Sequence, residues 1–165
     1  MSSVVRHGIL VVDDEATVRD SIGLALRAAG YEVSLAENGF DALLQLQTAL
    51  PTVIISALNR RQMSGFEFLS VVRRRFPHIS VIAMSAAYHL GDAALGGVIA
   101  DVFYPRRQGT TRRFLKAVAR LIHASEARAA AHPRESDAVW WWPRVGFYDK
   151  SEQRNPSGGN DEVSE

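Results

Sequence analysis

The chain has 165 residues, 47% hydrophobic and 22% charged, enough for one well-filled globular domain with a tail left over. Nineteen basic against eighteen acidic side chains leave a net charge of +1, which removes any global drive toward nucleic acid or a membrane surface and confines electrostatic function to local clusters. No cysteine is present, which excludes disulfides, thiolate metal sites and cysteine nucleophiles. The first apolar run, residues 9–12, is too short for a signal peptide or a membrane span, so a cytoplasmic protein is expected.

Ile9-Leu10-Val11-Val12 is a continuous apolar run, the pattern of a strand buried on both faces of a parallel sheet. Val18, Ile22, Ala25, Leu26 and Ala29 then recur at helical spacing, and Gly30 stands where a C-terminal cap belongs. Tyr31, Val33 and Leu35 alternate with polar residues as in a strand near a sheet edge. Asn38 is placed to cap a helix carrying Ala42, Leu43 and Leu46, which ends before Pro51. Val53-Ile54-Ile55 reads as a third strand, residues 65–76 as a helix closed by Pro77, and Val81-Ile82-Ala83-Met84 as a fourth strand. Residues 88–97 carry two adjacent glycines and predict only a short or irregular element. Val102-Phe103-Tyr104 is the fifth strand, and Thr110 or Thr111 caps a last helix bearing Phe114, Val118, Leu121 and Ile122. This alternation predicts an α/β fold, a doubly wound parallel sheet with helices on both faces. In such sheets the site lies beyond the carboxyl ends of the strands.

The first strand ends in Asp13-Asp14-Glu15. Carboxylates so placed suit a hard cation such as Mg²⁺, or cap the next helix and face solvent; the residues alone leave both readings open. The run from Ile9 to Glu15 resembles the opening of a response-regulator receiver domain. So does A-L-N-R-R-Q-M-S-G at residues 57–65, where the family pattern is D-x-N-M-P-x-M-x-G. Ser85 matches the family's hydroxyl position, and residues 100–106 resemble the fifth-strand segment that normally ends in lysine. The resemblance spans residues 8 to about 124. It implies a CheY-like five-stranded sheet of order 2-1-3-4-5, an order carried over from the family. It also implies phosphoryl transfer from a histidine kinase to an aspartate, with Mg²⁺ on the acidic pair and on the backbone carbonyl of Asn59. Ser85 and Arg106 stand at the positions that bind the phosphoryl oxygens, and Phe103 resembles the aromatic switch residue.

The acceptor position, however, is Ala57, whose methyl group has no lone pair to attack phosphorus. Ser56 precedes it in the strand and should face the other way. Loss of that carboxylate also removes a metal ligand, so Mg²⁺ binding at Asp13, Asp14 and Asn59 is expected to weaken. Arg60, Arg61, Arg106 and Arg107 replace Met-Pro and Lys-Pro around the same rim. They are either solvated or paired with the acidic cluster, with Arg106 lying bidentately across Asp13 or Asp14; an anion bound at the rim is a further alternative. Arg73-Arg74-Arg75 reads as a solvated helix face near a negative helix end, and no histidine lies at metal-ligand spacing.

Residues 1–7 form a lead, 8–131 the receiver, and 132–165 a largely disordered tail with the segment Val139-Trp140-Trp141-Trp142-Pro143 and then Phe147 and Tyr148. Those tryptophans either fold back on their own domain or dock a partner. The expected protein is a non-enzymatic, single-domain receiver disabled at Ala57. It would act by contact with a histidine kinase, a phosphotransfer protein or another signalling protein, or as a homodimer through its last strand and helix, and not on nucleic acid or membrane. Phosphorylation on Asp13, Asp14 or Ser85 is the competing expectation.

Overall fold

The computed structural model describes residues 7–58, 63–85, 100–106 and 109–131. Asn59, Arg60, Arg61, Arg107, residues 88–97 and the tryptophan segment lie outside them. The chain divides into Met1–Pro133 and Arg134–Glu165, and the second unit falls wholly outside the described residues.

Strands and helices alternate as β1 (Gly8–Val12), α1 (Ala16–Ala28), β2 (Glu32–Ala36), α2 (Gly39–Leu46), β3 (Val53–Ala57), α3 (Gly65–Arg75), β4 (Ser80–Ser85), β5 (Val102–Pro105) and α4 (Thr111–Ala131). All pairings are parallel, in the order β2-β1-β3-β4-β5. Apolar continuity tracks position in the sheet. β3 and β4 are buried throughout, whereas β5 is half-buried and β2 alternates, as edge strands do.

The register sorts side chains by face, because successive residues of a strand point to opposite sides. Val11, Ile55, Ile82 and Val102 are cross-strand partners. With Ile9, Val53 and Met84 they pack against Leu26 of α1 and against Phe114, Val118, Leu121 and Ile122 of α4. Ala57 pairs with Met84 and Met84 with Tyr104, so these three share that face. Ser56, Ala83 and Phe103 are likewise partners and lie on the other.

Local chemistry ends the helices. Gly30 follows α1 at φ +94°, a conformation that costs a side chain about 1 kcal/mol or more. Asn38 accepts from the Asp41 amide at 2.9 Å. Thr110, rather than Thr111, caps α4, its hydroxyl accepting from the Arg113 amide at 3.3 Å. α3 starts with a capping box in which Ser64 and Glu67 each accept from the other's amide.

The three-arginine run is not uniformly solvated. Arg74 and Arg75 are exposed, but the Arg73 side chain is only 11% exposed and donates to Asp101 at 2.6 Å and to the Ile79 carbonyl at 3.2 Å. Asp101 also accepts from the Val81 amide at 2.7 Å. Arg73 therefore ties the end of α3 to the entrance of β5, which helical spacing alone could not show.

Candidate functional site

The strand ends bring Asp13, Leu58, Ser85 and Arg106 to one rim. Asp13 is fully buried, and Ser85 nearly so. The Asp13 amide is held by the Ala36 carbonyl of β2 at 3.1 Å, and the Arg106 amide by the Ser85 carbonyl at 3.0 Å. Both residues are thus anchored by the sheet rather than by free loops.

Across this rim lies the Arg106 guanidinium. Its Nη2 sits 3.2 Å from Asp13 Oδ1 and 3.0 Å from Oδ2, and 3.0 Å from Glu15 Oε2. The planar two-nitrogen fork expected from the sequence does not form. One terminal nitrogen, with two protons, serves three acceptors, so the contact to Asp13 is shared. Asp13 Oδ1 also accepts from the Glu15 amide at 2.9 Å. Arg19 of α1 donates to the Asp13 backbone carbonyl at 2.8 Å. Glu15 was legible only as part of an acidic cluster; its pairing with Arg106 spans 91 residues of sequence.

Burial pushes the Asp13 carboxyl above the usual carboxylate value; Asp14 and Glu15 add to that, while the Glu15 amide and Arg106 oppose it. Desolvation and like charge disfavour the ionised form, and a hydrogen bond and a cation favour it. Arg106 therefore partly offsets the cost of an ionised carboxylate at full burial.

Ala57 ends β3 with its methyl group buried. Its backbone crowds Gly65: a side chain there would overlap the Ala57 carbonyl oxygen and stand 2.5 Å from the Leu58 Cα. That close approach brings the start of α3 against the end of β3. Ser56 is also buried and lies on the opposite face from Ala57, with its hydroxyl on the Ala57 carbonyl at 3.3 Å. Phe103 is half-buried on Ser56's face. The aromatic on the other face is Tyr104, which meets Phe114 edge-on at 5.1 Å and donates to the Thr110 carbonyl at 3.1 Å.

A five-stranded parallel sheet in the order β2-β1-β3-β4-β5 with a buried aspartate at the end of β1 is matched by the comparison of sequence. Residues 9–102 fit the response regulator receiver domain model. The chain belongs to the response regulator receiver family. The receiver is 36% identical over 91 residues to the response regulator Rre1 of Synechocystis, covering 53% of this chain and 39% of Rre1. It is 35% identical over 92 residues to the DNA-binding transcriptional regulator NtrC of Salmonella typhimurium, covering 55% of this chain and 19% of NtrC. The chain thus spans less than half the length of these curated relatives. Among solved structures, chemotaxis protein CheY4 of Vibrio cholerae superposes with a TM-score of 0.66 at 29% identity, over 71% of this chain and 99% of CheY4. The receiver is accordingly a CheY-like signalling module of two-component systems, a class that works by contact with kinases and other signalling proteins. No helix among the described residues is long and apolar enough to cross a membrane.

The described residues fit a tightly held Mg²⁺ poorly. Both Asp13 oxygens already accept from a guanidinium, and Ala57 at the end of β3 offers only a methyl group. Away from the rim, Glu126 of α4 is approached by His7 at 2.9 Å and His123 at 3.4 Å. The His123 contact is an i,i+3 pair on α4, whereas the approach of His7 was not legible from spacing. No group of three ligating side chains able to hold a metal occurs among the described residues.

Proposed function

We propose that this receiver signals without accepting a phosphoryl group at residue 57, and that Arg106 acts as a built-in cation holding the acidic rim in one state. The observation that carries the proposal is Arg106 Nη2 within 3.2 Å of both Asp13 oxygens and 3.0 Å of Glu15. In phosphoryl transfer, cations neutralise charge on the oxygens of the moving group, and an oxygen nucleophile must lie in line. Ala57 supplies no nucleophile, and Arg106 engages the carboxylate on which the receiver's metal would depend. Asp13 suits a substitute acceptor badly, since it is fully buried and already accepts from Arg106 and the Glu15 amide.

A receiver held in this way works as an adaptor or decoy for a histidine kinase or phosphotransfer protein. Its communicating surface is β5 and α4, through which it also pairs with a second copy, and Phe103 serves as the aromatic that reports the state of the rim. Half-burial of β5 supports this surface, since its partly exposed residues remain accessible to a partner.

The test is intact mass after exposure to a small phosphodonor with Mg²⁺, beside an Ala57→Asp variant. The parent should stay unmodified. A gain of one phosphoryl group by the parent would overturn the proposal and require mapping to Asp13, Asp14 or Ser85.

A further inference from the structure

A cavity of about 350 Å³ opens beside the rim, on the face of the sheet that carries Tyr104 and Met84. α1 forms one wall, with Ser21, Ile22 and Ala25; Tyr104, Phe114 and the start of α4 form the other. Its volume is at the small end of the range for ligand pockets, and its lining mixes apolar walls with a few convergent polar groups, as such pockets do. Arg106 is also part of its lining. Only Nη2 of its guanidinium is committed to Asp13 and Glu15, and Nε and Nη1 meet no acceptor among the described residues.

From this geometry we propose that the cavity binds a small planar aromatic carboxylate, with its ring between α1 and the Tyr104–Phe114 pair and its oxygens on the remaining Arg106 N–H groups. The aromatic walls fix the class of the apolar part. Tyr104 and Phe114 are already packed edge-on at 5.1 Å, which leaves ring faces for offset or T-shaped contact. The Arg106 donors fix the sign, because a guanidinium has five N–H donors and no acceptor. The Tyr104 hydroxyl does not compete for the ligand's oxygens, since it donates to the Thr110 carbonyl at 3.1 Å. A ligand seated there touches the same guanidinium that spans Asp13 and Glu15, so occupancy and the state of the acidic rim are linked. The proposal does not depend on whether residue 57 can be phosphorylated.

The probe is 2-naphthoate, compared with 2-naphthylmethylamine, which presents the same ring with a cation. Amide chemical shifts of the full chain are followed by NMR through each titration. The expected result is saturable binding of 2-naphthoate with a dissociation constant below about 1 mM, as a ligand of this size allows. Shifts should concentrate in α1 and at residues 104–114, with at least tenfold weaker binding of the amine. Ala25→Leu, which fills the cavity, and Ser21→Leu, at an exposed lining position, should each weaken 2-naphthoate at least fivefold. Because Ser21 is exposed, that variant tests the site even if Ala25→Leu disturbs folding. Non-saturating shifts, shifts scattered over the surface, equal binding of the amine, or unchanged affinity in the folded variants would each overturn the proposal. A phosphorylated parent in the mass assay would not touch it.

Discussion

Replacing Arg106 with alanine leaves a fully buried Asp13 carboxylate without its cation. Removing one partner of a fully buried ion pair costs about 3–5 kcal/mol. Here the Arg106 side chain is 21% exposed and Glu15 is 58% exposed, so solvent screens part of the interaction and the Glu15 contact adds at most about 1 kcal/mol. Asp13 also keeps the Glu15 amide at 2.9 Å. The expected loss is therefore about 2 kcal/mol at pH 7, close to the contribution of a hydrogen bond to a charged group. For a domain of this size that lowers Tm by roughly 6–8 °C.

The sign of the pH dependence follows from Asp13. Its carboxyl is raised by burial and held back by Arg106, so without Arg106 it rises further. The loss is full where Asp13 is ionised and shrinks as pH falls through the raised value, because a protonated carboxyl needs no cation. Thermal melts followed by far-ultraviolet circular dichroism at pH 7 and pH 4.5 measure this directly. An equal loss at both pH values, or a loss below about 0.5 kcal/mol, would refute the account of Arg106 as the counter-charge of Asp13.

Three further outcomes follow from the same structure. Asp13→Asn should be more stable than the parent at pH 7, with the gap closing toward pH 3.8, since a raised folded-state pKa means stability present below 3.8 is lost as pH rises; denaturation at several pH values checks it. Millimolar Mg²⁺ should raise the Tm of Arg106→Ala by more than that of the parent, because the guanidinium no longer occupies both Asp13 oxygens; equal shifts would count against Arg106 as a competitor of the metal. Gly65→Ala should cost about 1–3 kcal/mol or more in urea denaturation, because its methyl would meet rigid backbone at Ala57 and Leu58; a neutral result would mean that α3 can withdraw from β3.

Much of the fold was legible because its signals are local. Apolar runs bounded by turns located all five strands, and Asn38 and Gly30 marked helix ends through side-chain and backbone rules that act within a few residues. The Ser64–Glu67 capping box, a serine followed three residues later by a glutamate, is an equally local signal that was not read from the sequence. The chain's identity as a receiver likewise needed only motif order along the sequence.

The tertiary structure decided the rest, for a physical reason. Hydrogen bonds and ion pairs form between groups that meet in space, and the sequence does not encode those meetings at short range. Arg106 reaches Asp13 across 93 residues and chooses Glu15 as its second partner. Arg73 leaves its like-charged neighbours to join Asp101, 28 residues on. The register, through strand periodicity, turned Tyr104 toward the cavity and Phe103 to the opposite face. Composition named the acids and arginines at the rim; only the packing of the parallel sheet determined which of them share a proton donor.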